Sequence, residues 1–229
     1  MGCSTSPRSA AKLLLFLSTH VFLLLLPLLI QLGPTRLPGD VAFIAFLVFA
    51  SLLCLVDVAA APCGGELRPA QAHATGTQAH GLALATGAGI LVVFWTAMLH
   101  RNCAASPAAA IVSAAGGLLM LVGVALRYAA IRALGRFFVT EITVAPAQQL
   151  IQRGIYRFIR HPSETGNLAV AFGASLLLGS LSAALLCIAV LLPLVLLRTA
   201  REDRFLAGQF GGEFRRYRAR VKRLLPAMY

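Results

Sequence analysis

Five ionisable side chains fall at two points of this chain where chemistry is possible. Arg160 and His161 precede Pro162 in "YRFIRHPSETGN" (Tyr156–Asn167), and Arg198, Glu202 and Asp203 follow some forty residues on, in "RTAREDRF". Proline suits the first helical position. The backbone N–H groups of a helix starting there are left unpaired and favour an anion. Two arginines, a histidine and free amides make a corner for a carboxylate or a phosphate, while the two acids could hold an ammonium or take a proton. Arg198 and Glu202 are four residues apart and share a helix face. Alone they would be a surface ion pair worth only ~0.3–0.5 kcal/mol. Chemistry needs the two clusters to converge, so the elements that carry them decide the matter.

Of 229 residues, 59% are hydrophobic and 12% charged, half the charge of an ordinary soluble domain (about 25%). With apolar runs of membrane length, this predicts an integral membrane protein, an all-α polytopic helix bundle. The net charge is +12, and fifteen of the twenty Lys+Arg residues lie from Arg127 onward. Basic residues that flank membrane helices on the cytoplasmic side and meet anionic lipid explain this better than nucleic-acid binding. Only Lys12 and Lys222 are lysines, a bias that points to a GC-rich, bacterial coding sequence. Cys3, Cys54, Cys63, Cys103 and Cys187 form neither a CxxC nor a metal spacing with the five histidines. That argues against a disulfide framework and leaves them as packing residues. "MGCSTS" satisfies a myristoylation pattern at Gly2 with Cys3 as a palmitoyl candidate, but a chain that already spans the bilayer gains little from it. The run from Leu13 is too long for a cleaved signal.

The apolar periodicity predicts spans over about Lys12–Leu32, Val41–Ala61, Gly81–Leu99 and Pro107–Ile131, with a tight turn at Gly33–Asp40 and a polar loop at Pro62–His80. Asp57 falls near an interface, where solvation explains it. Basic residues at both ends of this set put the N-terminus and the stretch Arg132–Gly166 in the cytoplasm. The next apolar stretch, Asn167–Leu197, has 31 residues, whereas one crossing needs about 20. A single crossing would also strand the basic C-terminus outside. "LGSLS" (Leu178–Ser182) offers a turn, so we expect a hairpin: Pro162–Leu178, then Ser182–Gly208. That makes about six spans with both termini cytoplasmic. The hairpin must surface beside the point where it dives, which brings Arg160 and His161 to Arg198, Glu202 and Asp203. Beyond it, Phe210, Phe214, Tyr217, Val221 and Leu224 recur at helical spacing among arginines, an amphipathic interfacial pattern.

These residues carry a resemblance. "GIYRFIRHPSETG" followed by "REDRFLAGQFGGEFRRYRARVKRLLP" resembles the isoprenylcysteine carboxyl methyltransferase and phospholipid methyltransferase superfamily, with its G-x-Y-x-x-x-R-H-P-x-Y-x-G, its E-E-x-x-L-x-x-x-F-G-x-x-Y-x-x-Y and its closing L-P. Matching positions are Gly154, Tyr156, Arg160, His161, Pro162, Gly166, Glu202, Leu206, Phe210, Gly211, Tyr217, Leu225 and Pro226. "LGRFF" (Leu134–Phe138) is similar to the lead-in. The likeness covers Leu134–Pro226, so the chain divides into an N-terminal membrane region (1–131) and a C-terminal core (132–229).

The resemblance implies a methyltransferase that uses S-adenosylmethionine in a cytoplasmic pocket and a lipophilic acceptor that arrives from the bilayer. It implies Arg160, Arg198 and Glu202 as the catalytic set. Tyr156, His161, Pro162, Glu164, Gly166, Asp203, Tyr217, Leu225 and Pro226 would line the cofactor. Methyl transfer is a displacement at an activated carbon, so proximity, alignment and water exclusion are what the protein supplies. A carboxylate acceptor, as on an isoprenylcysteine, needs orienting arginines and no base. A phospholipid amine or a small thiol would surrender a proton, and Glu202 could take it. Glu202 or Asp203 would suit the cofactor's amino group, and Arg160 and His161 its carboxylate. Two positions depart from the pattern: Asp203 replaces the second glutamate, and Glu164 stands where the pattern has tyrosine. Glu164 would pair with Arg160 or Arg157, or meet the cofactor's cation or an amine acceptor. Competing classes are a transporter or scaffold that keeps the fold, disfavoured by the lack of mid-span charges, and a reductase sharing the C-terminal architecture. Metal chemistry and nucleic-acid partners are not expected, and the oligomeric state is open.

Overall fold

The computed structural model describes residues 76–100, 106–135 and 149–224, with isolated helical positions between 44 and 52. The expected first span, the turn at Gly33–Asp40, most of the second span, Gly2 and Cys3, Asp57, Phe137, Phe138, Leu225 and Pro226 lie outside the described residues. Among the fully described stretches, five α-helices follow in order: α1 (Gly76–Leu99), α2 (Pro107–Leu134), α3 (Pro162–Leu177), α4 (Leu181–Leu186) and α5 (Leu192–Arg220). A one-turn 3-10 helix (Gly154–Arg157) precedes α3. A π-helical turn (Cys187–Leu191) joins α4 to α5. Pro193 lacks the N–H that would close the α-turn over that segment, a recognised source of such widening.

The expected boundaries move in physically sensible ways. α1 begins at Gly76, five residues inside the segment read as a polar loop; lack of an apolar stripe argues against packing, not against helix. α2 starts at Pro107 with Ser106 Oγ accepting from the Ala109 amide, a normal N-cap. The hairpin turn falls at "LGSLS", where Gly179 takes φ 64° and Ser180 caps the return helix. That return runs past Gly208 to Arg220, bending at Gly211 (φ 52°).

α2 and α3 are held together by glycine. A Cβ on Gly123 would sit 2.7 Å from the Gly166 carbonyl oxygen, and one on Gly166 would sit 2.6 Å from that of Gly123. Two helical turns further along, Gly116 and Gly173 oppose each other at 2.7 Å in both directions. Small residues that let membrane helix backbones touch are a standard substitute for a hydrophobic drive that lipid does not provide. The buried core adds Phe94, Met98, Met120, Val124, Val170, Leu191 and Val195. Phe46, from the second expected span, stacks edge-on against Phe94 at 5.4 Å.

The outside of this assembly is greasy. Ile111, Leu118, Leu181 and Leu185 are exposed. Among the described residues, helices Pro107–Leu134 and Leu181–Arg220 are long and apolar enough to cross a membrane, with a shorter apolar helix at Leu84–Leu99. An apolar exterior around a polar mouth is the pattern of an integral membrane protein.

Candidate active site

The hairpin delivers the expected convergence. Arg160 and His161 sit just before α3, and α5 brings Asp203 between them: Arg160 Nη1 donates to Asp203 Oδ2 at 2.6 Å, and His161 Nε2 lies 2.9 Å from Asp203 Oδ1. Arg223 Nε reaches the same Oδ2 at 3.2 Å. Asp203 is 1% exposed, and both of its oxygens are taken by three cations from two chain segments. A buried carboxylate held this way is firmly placed, since removing its partners would leave an uncompensated charge.

A backbone ledge supports the two motif residues. The Arg160 amide donates to the Lys222 carbonyl (2.9 Å) and the His161 amide to that of Arg223 (3.1 Å), while Ile159 and Lys222 form a parallel bridge. Arg160 Nε donates to the Val221 carbonyl at 3.0 Å, and Thr165 Oγ1 to that of Leu224 at 2.9 Å. Chain beyond α5 therefore turns back as a short extended segment against the start of α3. The amphipathic face of α5 serves this purpose: Phe214, Tyr217 and Val221 are buried against Leu150, Leu206 and Phe210. Tyr217 Oη donates to the Tyr156 carbonyl at 2.6 Å.

His161 has a carboxylate on each side, since Nδ1 also lies 3.5 Å from Glu202 Oε2. Burial pulls the imidazolium pKa down, but the Glu202 charge and the hydrogen bonds to Asp203 and Glu202 outweigh it and lift the value to about 9. Burial lowers the Arg160 pKa, against the pull of Asp203. The Tyr156 hydroxyl is pushed up by burial first, then by the charge of Glu202. Tyr156 is thus a neutral phenol.

Glu202 differs from its neighbour. Its side chain keeps 34% exposure, against 2% for Asp203, so it is the acid of the pair open to a ligand. Glu164 pairs with Arg198, Oε1 to Nε at 3.5 Å, which overturns the first of its two expected roles, an ion pair with Arg160 or Arg157. Arg160 is committed to Asp203, and the Arg157 guanidinium lies over the Phe158 ring at 4.5 Å. Pro162 and Gly166 stand in the first turns of α3. The demand for glycine at 166 comes from its backbone contact with Gly123.

Several contributors escaped the sequence reading. Arg223 and Thr165 have no spacing signal, and the helical spacing that includes Val221 and Leu224 points to a continued helix, whereas the helix ends at Arg220 and the chain reverses there. Arg127 Nη1 donates to Ser163 Oγ at 2.7 Å, tying α2 to the motif across the glycine contact. Among the described residues no cluster of His, Cys, Asp and Glu could hold a metal ion.

Residues 111–213, just under half of the chain, match the family model described as phospholipid methyltransferase. The chain is thus like an integral membrane methyltransferase, as the motifs suggest. A protein-S-isoprenylcysteine O-methyltransferase of Schizosaccharomyces pombe is 35% identical over 77 residues, 34% of this chain and 33% of that protein. A probable protein-S-isoprenylcysteine O-methyltransferase of Oryza sativa subsp. indica is 32% identical over 117 residues, 50% of this chain and 61% of that protein. The chain spans a third to three-fifths of the length of these relatives. The solved structure of the eukaryotic intramembrane Ras methyltransferase ICMT (isoprenylcysteine carboxyl methyltransferase) superposes with TM-score 0.51 at 19% identity, covering 96% of this chain and 75% of that one. The fold is shared.

Proposed function

We propose that this chain transfers a methyl group from S-adenosylmethionine to a lipophilic acceptor, most like carboxyl O-methylation of an isoprenylcysteine-type molecule. One observation carries the reading: the Arg160–His161–Asp203–Arg223 cluster, with Glu202 open beside it, lies at the hairpin mouth of a chain that matches methyltransferases in family model, relatives and fold.

The residues fit the cofactor by their chemistry. A ligand carrying a sulfonium, an ammonium and a carboxylate needs acids and a guanidinium, and the open Glu202 with the buried Glu164–Arg198 pair beside it would supply them. Tyr156, Pro162 and Tyr217 would shape the floor, and Leu225 and Pro226 are proposed to close it. When bound, the cofactor supplies an electrophilic methyl carbon. The protein aligns the acceptor with it and keeps water out. Asp203, His161 and Arg160 act on this view as a frame. Asp203 has no oxygen left for a ligand, and His161 carries a proton on each ring nitrogen, so it takes no further proton. Arg198 would orient a carboxylate acceptor, which needs no base; with an amine or thiol, Glu202 would receive the proton. We place the mouth and both termini on the cytoplasmic side, in a bundle of about six spans, on the positive-inside argument.

Membranes containing the chain, supplied with labelled S-adenosylmethionine and an S-prenyl cysteine, should yield base-labile methyl esters. Stable N- or S-methyl products instead would move the reading to an amine or thiol acceptor. Absence of any labelled lipid-soluble product, with no saturable S-adenosylhomocysteine binding, would leave the transporter or scaffold reading.

A further inference from the structure

Glu164 is the residue that least fits a simple copy of the motif. It is 7% exposed. Oε1 faces Arg198 at 3.5 Å, while Oε2 is buried and accepts no hydrogen bond among the described residues. Nor does Glu164 cap its own helix: the His161 amide, the donor a capping box would use, is given to the Arg223 carbonyl. A buried carboxylate oxygen without a donor is costly. It therefore favours a ligand that brings an N–H.

The type of N–H follows from charge. Glu164 and Arg198 are one negative and one positive group side by side, which matches a zwitterion laid antiparallel against them. An α-amino acid is such a zwitterion. Both reactants of the proposed transfer can present one: the methionyl end of the cofactor, and an S-alkyl cysteine whose nitrogen is free. We infer that Glu164 Oε2 is an ammonium subsite, accepting a hydrogen bond from the free α-amino group of a bound α-amino acid. The inference rests on the methyltransferase reading and sharpens it, because an acceptor bound here by its nitrogen would be a free amino acid, not an amide-linked peptide end. No bond is made or broken at Glu164, which selects and orients.

Two ligand pairs test the subsite on the full chain in detergent. Calorimetry compares S-adenosylhomocysteine with its analogue lacking the α-amino group. Transfer kinetics compare S-farnesylcysteine with its N-acetyl derivative. Wild type should prefer the amino-bearing member of one pair by roughly 10–100-fold, the range of a charge-assisted hydrogen bond. E164Q should reduce that preference to a fewfold at most, and the pair that responds identifies the source of the ammonium. Should E164Q fail to fold, Glu164→Tyr, the residue of the motif, takes its place. Indifference of the wild type to both pairs means that water satisfies Oε2 and overturns the subsite. A preference that survives in a folded E164Q overturns it equally. If wild type shows neither S-adenosylhomocysteine binding nor methyl transfer, the underlying reading falls and the subsite with it, a result distinct from both.

Discussion

His161 Nε2 and Asp203 Oδ1 meet at 2.9 Å in the mouth of the hairpin, with the other ring nitrogen 3.5 Å from Glu202. An imidazole between two carboxylates is held as a cation, and that fixes its role as a strut.

The pH dependence follows from that strut. The His161 pKa rises from an ordinary 6.5 to about 9 on folding. Its contribution to stability is therefore complete below about pH 6.5 and is lost as pH climbs through about 9. Thermal stability in detergent should fall as pH climbs through about 9, and His161→Gln should abolish that limb. A titration that stays flat from pH 7 to 10 would contradict it.

Asp203 and Glu202 are adjacent in sequence and should respond oppositely to mutation. Asp203→Ala leaves Arg160, His161 and Arg223 facing one another, a loss of about 3–5 kcal/mol for a buried pair broken on one side. It should lower the unfolding temperature in detergent sharply. Glu202→Gln, at a side chain one-third exposed, should leave unfolding nearly unchanged and remove methyl transfer.

The glycine contact predicts a steep positional contrast. Gly123→Ala and Gly166→Ala each push a methyl group against backbone, where nothing can rotate away. Overpacking of this kind costs about 1–3 kcal/mol, with backbone collisions at the high end. Gly87→Ala on α1, where a Cβ meets nothing within 4 Å, should be neutral or slightly stabilising by helix propensity. Thermal unfolding of the three variants checks the ranking.

Tyr217→Phe removes one buried hydrogen bond, to the Tyr156 carbonyl, and should cost about 1 kcal/mol. Arg223→Gln should weaken cofactor binding without abolishing it, since Asp203 keeps Arg160 and His161. Both are measurable by thermal shift and calorimetry, and an Arg223→Gln loss as large as that of Asp203→Ala would mean that the tail, not the hairpin, holds the site.

Much of the architecture is written locally. Apolar run length, Pro107 and Pro162 at helix starts and "LGSLS" at the turn are one-dimensional signals, because they depend on span length, fixed φ and a glycine's left-handed backbone. Run length beyond one crossing forces the hairpin, and the hairpin alone brings Arg160 and His161 to Asp203. What the chain does not reveal locally is how charges are shared once they are close. Glu164 takes Arg198 because Arg160 is already held by Asp203, an outcome set by competition within a buried cluster. The roles of Arg223 and Thr165 depend on the chain reversing after Arg220 to lay its carbonyls against the motif, and Gly166 answers to Gly123, forty-three residues away. Such assignments rest on distances of a few ångströms between segments remote in sequence, and only tertiary packing sets those distances.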